Sequence, residues 1–239
     1  TILYHDADLL AIHKPSGLLV HRTPLDHGST QSCVTVLRDQ LGITAQPLHR
    51  LDRPTSGVLL FGLTQKVITP MMQAFALGEI HKEYLTLVRG WTLDEGAIDH
   101  PLRVLQDRRG KKVKMGPLQE ARTSYITEKR HEFAVPSGEF PTTRCSLVRV
   151  RPHSGRYRQI RRHFKHIYHP VIADTTFGDG ATNRIFRAHF GIERLMLHAF
   201  SIRFTHPESK ETVSIESPPE MCFTPGWHPV PSIDSPGFS

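Results

Sequence analysis

Apolar and polar residues alternate with a period of two along several stretches of the chain and shift to helical spacing in others, which divides it into elements. The stretch ILYHDADLLAIHKPSGLLVH, residues 2–21, reads as two short strands punctuated at Lys14-Pro15-Ser16-Gly17, where proline fixes φ and glycine admits positive φ. CVTVLRDQLG has helical spacing and stops at Gly42. VLLFGLT is an unbroken apolar run short enough to be a buried strand, MMQAFALGEI predicts a helix that follows Pro70, and KEYLTLVRGW predicts another strand. Further strands are expected at 122–131 and 143–151, and late ones in RLMLHAFSIRFTHP and ETVSIES.

Between them, GRYRQIRRHFKHIYH changes to helical period. Tyr157, Ile160, Phe164 and Ile167 form an apolar stripe, while Arg158, Arg161, Arg162 and Lys165 share another face. NRIFRAHFG predicts a short helix with Asn183 as its cap. Residues 103–118 carry Arg108, Arg109, Lys111, Lys112 and Lys114 around Gly110 with little apolar content, the pattern of an exposed basic hairpin or loop. Strands mixed irregularly with helices favour an α+β fold over an alternating βαβ design. No linker divides the chain, so one domain over 1–216 is expected. A tail over 217–239 follows, too rich in proline for regular structure.

Composition narrows the class of partner. Thirty Lys and Arg against 23 Asp and Glu leave a net charge of +7, which makes polyanions plausible partners. Cys33, Cys145 and Cys222 are scattered with no CxxC pair, which argues against a disulfide framework and a thiolate zinc site and points to a reducing compartment. No apolar run approaches the roughly 20 residues that span a bilayer, and the first residues lack the pattern of a signal peptide. A cytoplasmic location is the expectation.

Candidate chemistry then thins out quickly. His163, His166 and His169 are spaced by three, but no acidic partner accompanies them and Pro170 ends the helix, so solvated or RNA-facing histidines explain them better than a metal. Neither GxxxxGK[ST] nor GxGxxG occurs, and Ser16 and Ser56 lie in turns rather than in a nucleophile elbow. What remains is HRLDRPTSG, residues 49–57, which sets Asp52 between Arg50 and Arg53. Opposite charges favour the carboxylate anion, which can attack an electrophilic carbon without a separate base.

Five blocks in order carry a family likeness: HKPSGLLVH (13–21), HRLDRPTSG, KEYLTLVRG (82–90), SGRYRQIRRH (154–163) and RLMLHA (194–199). Together they resemble the RluA family of pseudouridine synthases over residues 2–216. LVHRTPLD (19–26), FPTTRCSLVRVRP (140–152) and HFGIERLMLHA (189–199) are most similar to the branch that isomerises a uridine in the tRNA T-stem near the acceptor junction. The resemblance implies a mixed, mostly antiparallel central sheet flanked by helices and crossed by a catalytic cleft, without an S4-like module. It implies a monomer that binds tRNA and uses neither metal nor organic cofactor, because the reaction only breaks a C–N bond, turns the base and forms a C–C bond.

Residue by residue, Asp52 matches the family's catalytic aspartate, and three routes stay open for it: attack on the base, attack on the sugar, or promotion of a glycal. Tyr84 matches a tyrosine with a role in packing against the target base and in proton removal. Arg161 matches an arginine paired with the catalytic carboxylate, for which a bidentate pair is expected. Arg50 matches an arginine that helps hold the flipped nucleotide. Thr55, Ser56 and Gly57 are expected to form the turn that fixes Asp52, Lys14 and Pro15 to buttress the fold, and Leu197 to line the uracil pocket or simply the core. For phosphate binding the candidates are Arg108, Arg109, Lys111, Lys112, Lys114, Arg158, Arg162 and Lys165.

The chain departs from the family pattern at Ala173, where glycine is usual, and at Arg158, where histidine is frequent. The rival readings are a synthase for ribosomal RNA, a non-catalytic RNA-binding protein on the same fold, and a histidine-dependent metal hydrolase. Intact Asp52, Tyr84 and Arg161 argue against the second.

Overall fold

The structure, a computed structural model, describes residues 1–21, 31–108, 111–220 and 223, with side chains described outside 105–115. The chain opens with a hairpin of β1 (Ile2–His5) and β2 (Leu9–Lys14). Its turn is made by Asp6, whose Oδ1 accepts from the backbone N–H groups of Asp8 and Leu9 at 2.8 and 2.7 Å. Both strands therefore precede Lys14-Pro15-Ser16-Gly17. Instead of separating two strands, as the pattern predicts, that turn leaves β2, and among the described residues after it Leu19 makes an isolated bridge to Ser32.

Helix α1 (Cys33–Leu41) is capped by Ser32 and stops at Gly42 with φ 66°, as its spacing predicts. After β3 (Gln46–Pro47) and β4 (Ser56–Gly62), α2 (Gln65–Leu77) starts before Pro70 rather than after it. Proline here costs an amide of the early helix. Val67, Ile68 and Met71 still bury one face of it against β4 and its neighbours.

The middle of the chain runs through β5 (His81–Arg89), β6 (Glu95–Asp99), the hairpin β7 (Leu102–Arg108) and β8 (Lys111–Gln119), then β9 (Arg122–Phe133) and β10 (Thr143–Pro152). Helices α3 (Gln159–His166) and α4 (Gly180–Phe190) precede β11 (Leu197–Thr205) and β12 (Thr212–Glu216). Asp179 caps α4 through a 2.7 Å bond from Thr182 N, so Asn183 lies inside the helix and is not its cap.

Among the described residues the strands form a sheet ordered β1-β2-β4-β11-β5-β10-β9-β6, with β12 beside β11 and β3 beside β4. The β4–β11 pair is parallel and the other pairs are antiparallel, so this is the mixed α+β architecture that the likeness implies. Three apolar clusters hold it. One joins α3 and α4 to β5 and β10 around Phe164 and Phe186, each fully buried and each contributing about 2–3 kcal/mol by burial. A second lies under α2, and a third under α1. Tyr84 packs against both the first and the third, which places the sheet's centre beneath a cleft.

The chain does not part from this body at 216. Ser217 is fully buried, and Phe223 packs on the ring of His198 at 5.8 Å. Trp227, Phe238 and most of the proline-rich tail lie outside the described residues, as do Cys222 and Arg109. No helix among the described residues is long and apolar enough to cross a membrane.

Candidate active site

The apolar run of β4 is buried along its whole length, and the polar residues before it are delivered to its mouth as a loop. Thr55 N donates to the carbonyl of Asp52 at 3.0 Å, which closes the turn. Ser56 and Gly57 belong to the strand itself, with Ser56 Oγ bound to His198 Nδ1 at 2.8 Å. From the other side, the Lys14-Pro15-Ser16-Gly17 turn grips the loop. Lys14 Nζ donates to Arg53 O at 3.0 Å, Gly17 N to the same oxygen at 2.9 Å, and Ser16 Oγ to Pro54 O at 2.7 Å. Arg53 Nε returns a bond to Gly17 O at 2.9 Å.

Sequence-predicted residues meet in a cleft of about 400 Å³: Asp52, Thr55, Tyr84, Arg158, Arg161 and Leu197 all line it. Arg50 lines it too, exposed at its mouth. Tyr84 comes from β5, opposite Ala199 of β11 and Val150 of β10. Burial, and then the nearby Asp52 carboxylate, push the Tyr84 phenol up, so it stays protonated at neutral pH.

Arg161 departs from the expected common basic face of α3. Only Lys165 is exposed on that face; Arg158 and Arg162 are half-buried and Arg161 turns inward, with its side chain 3% exposed. Its Nη1 donates to Asp52 Oδ2 at 2.7 Å. The expected bidentate pair exists, but with Asp174: Nε to Oδ2 at 2.7 Å and Nη2 to Oδ1 at 2.8 Å. The sequence assigns Asp174 no role: the family pattern marks its neighbour Ala173, but nothing in the chain shows that Asp174 meets Arg161, 13 residues earlier. Burial opposes the charge of Arg161, yet Asp174 and then Asp52 outweigh it and raise its pKa.

Arg158 starts α3 in the left-handed region, φ 52°, and its guanidinium lies 4.7 Å from the Tyr157 ring. Arg162 Nη1 donates to Tyr157 O at 3.3 Å. Of the basic hairpin, the backbone pairing of Arg108 with Lys111 is described, while the side chains of Arg108, Lys111, Lys112 and Lys114 are outside the described set. Lys82 and His49 line the cleft without having been singled out. Burial lowers the pKa of Lys82.

The three histidines of α3 and its end are used locally. His163 accepts from Thr123 Oγ1 at 2.8 Å and donates to His100 O at 3.0 Å, His166 stacks on His100 at 3.7 Å, and His169 donates to Arg89 O at 2.7 Å. Stacked rings cannot converge on one ion.

A family model described as RNA pseudouridylate synthase matches residues 8–166. The chain is 46% identical over 216 residues to the tRNA pseudouridine synthase C of Pasteurella multocida, covering 90% of this chain and 89% of that one. The chain belongs to the RNA pseudouridylate synthase family. It is thereby an isomerase that turns uridine in RNA into pseudouridine. A second relative, the tRNA pseudouridine synthase C of Vibrio cholerae, is 43% identical over 220 residues, 90% of this chain and 89% of that one. In fold, the synthase is similar to human RNA Pseudouridylate Synthase Domain Containing 1, with a TM-score of 0.74 at 23% identity over 96% of this chain and 88% of that one.

Proposed function

We propose that the synthase acts on tRNA, at a uridine of the T-stem near the acceptor junction, with Asp52 as the catalytic carboxylate. The names of relatives at 43–46% identity support the tRNA substrate, and the blocks at 19–26, 140–152 and 189–199 support the stem. One observation carries the assignment of Asp52. Its Oδ2 is held by Arg161 Nη1 at 2.7 Å, and with Tyr84 and Leu197 it lines a cleft of about 400 Å³ that can admit a flipped nucleotide.

Isomerisation breaks C1′–N1, turns the uracil, forms C1′–C5 and moves one proton from C5 to N1. Nothing enters or leaves, so the chemistry asks for no metal or organic cofactor. Attack on the sugar, attack on the base and glycal formation all need a fixed carboxylate anion, and misplacing it by 1 Å costs on the order of 100-fold. Tyr84, as a neutral phenol, packs on the base and passes its proton along. Arg50, exposed at the mouth, fills the space that the extruded nucleotide leaves, against a flipping cost of a few kcal/mol. Arg158, Arg162, Lys165 and the basic hairpin hold phosphates. The same reading has the enzyme working in the cytoplasm as a monomer.

The test incubates the protein and Asp52→Asn with unmodified tRNA and unmodified ribosomal RNA and maps pseudouridine by chemical labelling. Modification of the T-stem by the wild type alone is expected. Modification of ribosomal RNA only would overturn the substrate and keep the chemistry.

A further inference from the structure

Asp174 lies outside the 8–166 segment matched by the family model, in the turn between α3 and α4, and its side chain is fully shielded from solvent. Its backbone carbonyl accepts from Asn183 Nδ2 at 3.0 Å, and its Oδ1 accepts from the N–H groups of Thr176 and Phe177 at 2.8 and 3.0 Å. Burial opposes its charge, but Arg161 and those backbone donors outweigh it and hold the carboxyl below its ordinary value. It is a fixed anion with a fixed direction.

Guanidinium groups prefer a two-pronged grip on carboxylates. Asp174 takes that grip on Arg161 through Nε and Nη2, which leaves Nη1 as the contact with Asp52 Oδ2. Asp52 lines the cleft, and its Oδ1 has no hydrogen-bond partner among the described residues. We infer that Asp174 is a positioning residue for the reaction: by gripping the Nε–Nη2 edge of the Arg161 fork it fixes the plane of the guanidinium, so that a single Nη1 bond reaches Asp52 Oδ2 and the other oxygen of Asp52 stays open to the substrate. It also shares the positive charge, so Asp52 is oriented without being fully neutralised.

This rests on the reading of Asp52 as the catalytic carboxylate. The experiment measures two quantities on an unmodified tRNA transcript, the single-turnover rate of pseudouridine formation and the Kd by filter binding. It compares the wild type with Asp174→Asn, Asn183→Ala and Asp52→Asn, with thermal unfolding of each. Asp174→Asn places an amide N–H against the arginine's own donors and releases the fork, so its rate is expected to fall by about 100-fold with Kd within about twofold. Asn183→Ala loosens the same turn but leaves both ion pairs their charged partners, and is expected to lower Tm and to slow the rate far less than Asp174→Asn.

A wild-type rate in Asp174→Asn overturns the inference, and so does Asn183→Ala slowed as much as Asp174→Asn. If Asp174→Asn does not fold, Asp174→Glu keeps the charge but displaces the fork; it too is expected to be slow, and a wild-type rate there overturns the inference equally. Pseudouridine made by Asp52→Asn would remove the reading on which this stands. An inactive Asp52→Asn beside a wild-type rate in Asp174→Asn would remove only the role of Asp174.

Discussion

Lys14 Nζ, fully buried, lies 3.0 Å from the carbonyl oxygen of Arg53, the residue after Asp52. Its other partners are the carbonyls of Pro15 and Leu18, at 2.9 and 2.7 Å. Lysine thus ties the turn after β2 to the loop that carries Asp52. Lys14→Met leaves three carbonyls without this donor and is expected to cost about 2–3 kcal/mol and to slow the reaction. Burial holds Lys14 down to about 8 from 10.5. Between those values the unfolded chain binds a proton that the folded chain does not, so the wild type gains stability as pH rises through that window. Urea unfolding at about pH 7.5 and pH 10 should show the gap between wild type and variant widening; a constant gap would contradict the assignment.

At Gly57 the parallel pairing of β4 with β11 brings two backbones together. A Cβ there would stand 2.1 Å from Ala199 O, and its φ is +111°, a conformation that side chains rarely adopt. Gly57→Ala is expected to destabilise by on the order of 3 kcal/mol or more, since backbone cannot swing aside as a side chain can. A variant whose Tm matched the wild type would show that the two strands separate easily at this point.

Much of the sheet was legible because alternation records which strand face is buried. The long strands β5, β9, β10 and β11 fall where the pattern predicts. β6 escaped because EGAID carries a single buried residue, Ile98, too little to make a period visible. The Lys14–Gly17 turn was read correctly as a turn, but its use was not legible, because gripping Arg53 depends on residues 39 apart in sequence. Arg161 shows the same limit. A helical wheel groups it with Arg158, Arg162 and Lys165 but cannot say what that face meets, and here it meets two carboxylates brought from other parts of the chain. The motif around Asp52 is local and readable; the support beneath it is assembled by the fold.

His198 is buried beside Ser56, and its hydrogen bonds set its tautomer: Nε2 donates to Ser217 O at 2.9 Å, leaving Nδ1 to accept from Ser56 Oγ at 2.8 Å. Burial, which outweighs the help from Ser217, lowers its pKa from 6.5 to about 4. Across that range the unfolded chain takes up the proton first, so stability is present above 6.5 and is lost as pH falls towards 4. The loss from this one group between pH 7 and pH 5 is on the order of 2 kcal/mol. His198→Gln should be less stable at pH 7 and should lose less than the wild type on acidification. Equal losses would mean that His198 stays uncharged in both states or charged in both.

Ala173 stands in the left-handed region with φ 58°, at the position where the family usually has glycine. Its amide donates to Asn183 Oδ1 at 2.8 Å, which locks the turn just before Asp174. A left-handed alanine costs about 1–2 kcal/mol, partly offset by the greater freedom of glycine in the unfolded chain. Ala173→Gly is therefore expected to raise stability by up to about 1 kcal/mol, or Tm by about 2–4 °C. Calorimetry decides it. A lower Tm would show that the chain has adapted its turn to alanine.

The hairpin of β7 and β8 carries five basic residues at and around its tip, Arg108, Arg109, Lys111, Lys112 and Lys114, in a chain whose net charge is +7. Its strands pair with each other in a sheet separate from the main one. Each cation that neutralises a phosphate releases a counterion, and the slope of log affinity against log salt becomes shallower by about 0.7–0.9 for each contact removed. Replacing all five with glutamine should weaken tRNA binding at low salt and flatten that slope, while the rate at saturating RNA stays near the wild-type value. Filter binding over a salt series provides the slope. If it is unchanged, these charges make no phosphate contacts, and the affinity of the synthase for RNA must come from other cations, Arg158 at the cleft and Arg162 and Lys165 on α3.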